Sequence, residues 1–212
     1  MVAIMELRSE SFEHEGPIPG EFGFCVPAEV GHVALAPNRN PHLAWSGAPA
    51  GTKSFALICH DPDVPSRGDD VNQEGRSVPA SLPRVDFFHW VLVDLPASLT
   101  EITAGSHSSA VTPRGKPPGP AKQGLQGLND YTGWFANDDA MAGDYAGYDG
   151  PCPPWNDEIV HHYHFTLYAL DVERLGLSGN FTGLAAREAM RGHVLGQATL
   201  VGRYSLNPAI RV

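Results

Sequence analysis

The stretch Ser54-Phe-Ala-Leu-Ile-Cys-His60, followed by Asp61-Pro62-Asp63, decides the fold. In an extended chain Phe55, Leu57 and Cys59 point one way and Ala56, Ile58 and His60 the other, because side chains alternate with a period of two. Both faces are largely apolar, and such a strand belongs in the middle of a sheet covered above and below. Asp-Pro is a frequent turn starter, so the strand is expected to stop at His60.

Two further segments read the same way. Phe87 to Leu95 and Tyr163 to Leu170 are dense in β-branched, aromatic and aliphatic residues and are bounded by turn formers. Simple alternation places His89 on the face of Val91 and Val93. Shorter strand candidates are Met5 to Phe12, His32 to Leu35, Leu43 to Trp45 and Ala198 to Tyr204. Near the C-terminus the pattern changes: Thr182 can cap one short helix over Leu184 to Met190, with Gly192 as its stop. The connections Asp61 to Asp86 and Glu101 to Val160 carry little periodicity, and loops of that length are uncommon in a compact domain unless they carry function or are mobile. No internal repeat or domain break appears, so residues 1–212 are read as a single, mainly β domain.

A chain of 212 residues can bury roughly 70 % of its surface and needs no staples. Its 23 glycines and 19 prolines favour many short strands and turns over a helical bundle. The formal charge of −10 is spread along the chain, which disfavours long-range attraction to nucleic acid or anionic membranes. Cys25, Cys59 and Cys152 are an odd set without a CxxC pair, so neither a disulfide framework nor a zinc ribbon is expected. The opening residues MVAIMELRSESF lack a basic start and a signal-length apolar run, and nowhere do eighteen apolar residues stand together, so a cytoplasmic protein without an integral membrane segment is expected.

Three motifs hold the polar chemistry: Asp61-Pro62-Asp63, His89-Trp90, and Gly150-Pro151-Cys152-Pro153-Pro154 leading to His161-His162-Tyr163. If the strand ending at His60 lies antiparallel between those beginning near Phe87 and His161, then Asp61, His89 and His161 meet at one sheet end. Each piece alone has a structural reading: a braced turn, a satisfied core histidine, a rigid proline loop. His161, His162 and His164 invite a zinc reading, but on a strand only the last two share a face, and no metal or cofactor is expected. Trp134, Phe135, Tyr145, Tyr148 and Trp155 anchor a loop, form an apolar pocket wall or make a dimer face. No GxSxG elbow, SxxK pair or phosphate-binding glycine loop is present, so no catalysis is expected.

PHLAWSGAPAGTKSFALICHDPDVPS, FFHWVLVDLP, GYDGPCPPWNDEIVHHYHFTLYALD and AMRGHVLGQATLVGRYS, in that order, resemble the phosphatidylethanolamine-binding protein family, within it the bacterial Raf-kinase-inhibitor-like branch. The resemblance covers about Glu6 to Asn207. It implies an antiparallel β-sandwich with Greek-key connections, a short C-terminal helix, and a small pocket for phosphate-like anions. Carried over by position, the ligand-binding residues would be Asp61, Asp63, His89, Gly150, Pro151, His161 and Tyr163. His162 stands where an arginine is usual, which puts that arginine's ion pair in doubt.

The expected function is therefore a binding module for phosphate or a phospholipid headgroup, with His89 and His161 as donors and Asp61 and Asp63 orienting them or meeting a cation. The alternative is a protein-interaction or inhibitor module, since relatives inhibit kinases or a peptidase, and a homodimer is compatible with the aromatic loop. A hydrolase or lyase ranks last.

Overall fold

Both apolar faces of the Ser54–His60 segment are covered. In the computed structural model, which describes residues 4–212, this segment lies at the centre of a seven-stranded sheet. Met1 to Ala3, the start of the stretch read for a leader, lie outside the described residues. The large sheet contains β2 (Gly16–Pro17), β6 (Ser54–Pro65), β7 (Arg84–Pro96), β9 (Gly119–Pro120), β10 (Leu125–Gln126), β11 (His161–Leu170) and β12 (Val194–Tyr204). Their order is β2-β12-β11-β6-β7-β10-β9, antiparallel except where β2 joins β12. A second sheet has β1 (Glu6–Arg8), β5 (Leu43–Ser46) and β8 (Glu101–Ile102), and β3 (Cys25–Pro27) pairs with β4 (Val33–Leu35) as a ribbon.

Phe55, Leu57 and Cys59 join Leu43, Trp45 and Ile102 of the second sheet in the main core. On the opposite face Ala56, Ile58, Val91 and Val93 pack with Phe181, Ala186 and Met190 beside a short helix. The chain is thus mainly β, a sheet sandwich with a helix on its outer side. Of the two α-helices among the described residues, α1 (Tyr131–Trp134) is a single turn and α2 (Gly183–Ala189) is the one expected from the sequence. The Thr182 side chain accepts a hydrogen bond from the Ala185 amide at 3.3 Å, as its capping position requires.

Two expectations are corrected. The strand from Ser54 does not stop at His60; β6 runs through Asp61-Pro62-Asp63 to Pro65. Proline is tolerated because pairing with β11 ends at His60 and the register with β7 shifts between Asp61 and Val64, leaving no ladder position that needs its missing N–H. Nor does His89 share a face with Val91 and Val93. Cys59 pairs with Trp90 but His60 with Phe88, so β7 carries one extra residue there. That bulge turns His89 to the Tyr131 and Tyr163 side of the sheet.

Candidate functional site

β6 lies antiparallel between β7 and β11, so the end of β6 meets the beginnings of both neighbours. This brings Asp61, His89 and His161 to one end of the sheet. A cavity of about 350 Å³ opens there. Asp61, His89 and Tyr163 line it, with walls from Phe24, Phe87, Tyr131, Phe135 and Met141 and from Trp134 and Leu35, both exposed. The aromatic loop is therefore partly pocket wall: Trp134 and Phe135 face the cavity, whereas Tyr145 and Tyr148 are wholly buried in the core.

His89 is held as a defined tautomer. Its Nδ1 lies 2.8 Å from the Asp149 carbonyl oxygen, which can only accept, so Nδ1 carries the hydrogen. Nε2 makes no hydrogen bond among the described residues. The rings of Tyr131 and Tyr163 meet it edge-on at 5.5 and 5.1 Å. Burial lowers the pKa of His89 from its ordinary 6.5, and the nearby charge of Asp61 only partly opposes that. With the pocket empty the ring is neutral at pH 7.

Asp149, which sequence reasoning missed, organises this wall. Its carboxylate accepts from Asn38 Nδ2 at 2.8 Å, Lys116 Nζ at 3.0 Å and Asn129 Nδ2 at 2.8 Å. Its amide also donates to the carbonyl of His89, at 3.0 Å. Gly150 and Pro151 sit behind the pocket rather than in its lining. The Gly150 amide donates to Asn38 Oδ1 at 2.8 Å, and its carbonyl accepts from the Tyr131 hydroxyl at 2.7 Å. A Cβ on Gly150 would collide with the carbonyl oxygen of Phe22. The Pro151 carbonyl accepts from the amides of Phe24 and Cys25 at 2.8 and 3.2 Å.

Beyond Pro151, Cys152 is bonded to Cys25 in a disulfide, and both residues line the cavity. No disulfide was expected. An odd cysteine count conceals a single pair, and a separation of 127 residues leaves no spacing signature.

His161 is brought close but turned inward. It is fully buried, with Nδ1 at 2.6 Å from Asp61 Oδ2 and Nε2 at 3.1 Å from Asp157 Oδ2. Arg84 grips Asp157 with both terminal nitrogens, at 2.6 and 3.0 Å. Burial by itself would lower the His161 pKa, but Asp61 and Asp157 outweigh it and hold the value up at about 9. Asp61, His161, Asp157 and Arg84 thus form a buried row of alternating charge with no net charge. The sequence signal for Asp157 was its place four residues before His161; Arg84 gave none.

Asp63 lies outside the cavity. Its Oδ2 accepts from the His162 amide at 2.9 Å and lies 2.8 Å from His162 Nδ1, so the residue in the usual arginine position keeps a partner. The Asp63 amide donates to Asp61 Oδ1 at 2.8 Å, fixing the Asp61 carboxylate from the side opposite His161.

A family model described as "PBP: Phosphatidylethanolamine-binding protein" matches residues 8–205. The UPF0098 protein of Methanothermobacter thermautotrophicus is 32 % identical over 200 residues, covering 94 % of this chain and 98 % of that one. The UPF0098 protein YbhB of Escherichia coli is 32 % identical over 168 residues, covering 79 % and 82 %. Among solved structures, the phosphatidylethanolamine-binding protein homologue CT736 from Chlamydia trachomatis superposes with a TM-score of 0.64 at 27 % identity, covering 96 % of this chain and 98 % of that one. E. coli YbcL shares the fold, with a TM-score of 0.68 at 24 % identity over 96 % and 99 % of the two chains.

Proposed function

The chain belongs to the phosphatidylethanolamine-binding protein family, and from that premise we propose that its pocket binds a small phosphate-bearing ligand, free or as a phospholipid headgroup, on Nε2 of His89. The observation that carries this reading is the fixed tautomer: with Nδ1–H committed to Asp149, Nε2 is the unpaired ring atom of a residue that lines the cavity. A phosphate oxygen there favours protonation of the ring, which then donates to it.

Asp61 would repel a phosphate if it stood alone. Its charge is offset by the buried imidazolium of His161, and its remaining lone pairs suit the ammonium of an ethanolamine-type headgroup. Tyr163 keeps its proton, since burial and then Asp61 push its pKa well above the ordinary phenol value, and it is a second donor. His161 and Asp63 act at one remove, by holding Asp61. The reading is of a binding module rather than an enzyme.

Calorimetric titration with phosphate and phosphoethanolamine tests it. Wild type binds, and His89→Ala loses roughly tenfold or more in affinity, the loss of one charge-assisted hydrogen bond. Equal affinities in the two proteins end the proposal.

Exposed Trp134 and Leu35 at the pocket rim favour a second reading, a protein-interaction module whose partner is another protein or a second copy of this chain. A partner lost with Trp134→Ala and kept with His89→Ala would support it over the first.

A further inference from the structure

The pocket wall has one unusual fastening. Cys25 begins β3, in the β3–β4 ribbon whose Leu35 reaches the cavity; Cys152 and Pro153 are the loop residues facing it from the other side. Upstream the loop is tied through the Pro151 carbonyl to Phe24 and Cys25, and downstream the Trp155 amide donates to Asn72 Oδ1 at 3.1 Å. Between those ties Cys152 and Pro153 make no hydrogen bond among the described residues, and the disulfide is what joins them to the ribbon. Among the described residues the strands of the ribbon pair only with each other, outside both larger sheets. The bridge therefore joins cavity wall to ribbon, while the Tyr204 hydroxyl, donating to the Cys25 carbonyl at 2.7 Å, holds Cys25 itself to β12.

Access is asymmetric. Cys25 is buried at 5 % exposure while Cys152 is half-buried, so Cys152 is the more approachable end of the bridge for an incoming thiolate. Mesophilic cytoplasm keeps thiols reduced, whereas oxidising compartments preserve such bonds.

We propose that the Cys25–Cys152 bridge is a redox-operated fastener of the ligand pocket: oxidised, it closes the wall and retains the ligand; reduced, it frees the β3–β4 ribbon from Cys152 and Pro153 and releases the ligand. The co-reactant is a dithiol. One of its thiolates attacks Cys152 Sγ, the sulfur–sulfur bond breaks, and Cys25 leaves as a thiolate that takes up a proton. The second thiolate of the reductant then attacks the mixed disulfide, leaving a Cys152 thiol and an oxidised, cyclised reductant. Two electrons and two protons pass to the protein. The release of ligand rests on the function proposed above, whereas the loosening of the wall does not.

Hydrogen exchange and titration on the full chain separate the two. Protein is compared oxidised, after dithiothreitol with Cys25 and Cys152 each confirmed as a thiol by alkylation and mass spectrometry, and as the Cys25→Ser/Cys152→Ser variant. Reduction accelerates exchange at the Cys25, Ala36 and Trp155 amides roughly tenfold or more and leaves Leu57 and Ile58 of β6 unchanged. Phosphoethanolamine affinity falls by a similar factor, and the double variant matches the reduced protein in either buffer. Should that variant not fold, chemically reduced wild type carries the comparison. Unchanged exchange after full reduction, Cys25 and Cys152 both found as free thiols beside Cys59 in protein prepared under oxidising conditions, or faster exchange with unaltered affinity each overturns the proposal. Faster exchange with no phosphoethanolamine bound by any form overturns the ligand reading and leaves the redox-loosened wall supported.

Discussion

His161 Nδ1 stands 2.6 Å from Asp61 Oδ2 in a position with no access to solvent, so the imidazole serves the carboxylate and not the cavity. Removing it leaves Asp61 and Asp157 buried without the charge between them. His161→Ala is expected to lower the free energy of unfolding by about 3–5 kcal/mol, the usual cost of breaking a buried pair from one side. Urea denaturation measures it; a loss under about 1 kcal/mol would show that the row of charges is not formed in solution.

Stability should peak near pH 6.5, because histidines depart from that ordinary value in opposite directions, His161 upward and His60, like His89, downward. His161, held at about 9, retains in the fold a proton that the unfolded chain releases above 6.5. Its contribution is complete below 6.5 and is lost as pH rises to 9, amounting to roughly 3 kcal/mol. His60 falls to about 4 because it is buried and then because the Arg187 guanidinium is near, with Asp86 only partly compensating. Its contribution is lost as pH falls from 6.5 towards 4. Unfolding free energies at intervals from pH 4 to 9 check both arms, and His161→Gln should flatten the alkaline one.

The anion proposal makes its own pH claim. His89 is neutral in the empty pocket and must gain a proton to donate from Nε2, so anion binding takes up a proton. Sulfate, whose own charge is constant in this range, should bind more tightly as pH falls from 7.5 to 5.5, by up to about tenfold per unit. His89→Ala should show no such slope. A flat wild-type profile would remove His89 as the charged donor.

Gly150→Ala should damage the fold without touching a ligand atom. The added Cβ meets the Phe22 carbonyl, and backbone must shift to admit it. The expected cost is about 1–3 kcal/mol, read as a fall in melting temperature of about 2–4 °C per kcal/mol. An unchanged melting temperature would mean that Gly150 is not packed against the Phe22 backbone.

The placement of β6 was legible because its two apolar faces admit only a central, doubly covered strand. Once β6 sat between β7 and β11, antiparallel pairing required Asp61, His89 and His161 to meet at one end. The aim of each side chain was not legible. His89 changes face through one extra residue in β7, and a bulge is decided by pairing across strands rather than by local sequence. His161 turns inward because Asp61 and Arg84, from other parts of the chain, complete its charge row with Asp157. The Cys25–Cys152 bond was hidden for a similar reason: its partners are neighbours only after folding.

The extra residue that β7 carries between Phe88 and Trp90, the partners of His60 and Cys59, makes ligand recognition in this molecule a matter of counting as well as of identity. Deleting Phe88 from β7 would keep the histidine in the written sequence yet set it opposite His60, on the helix-covered layer and away from the cavity. Descendants of this scaffold can therefore fall silent through an indel that leaves every functional letter intact, and surveys that score letters alone would count them as competent.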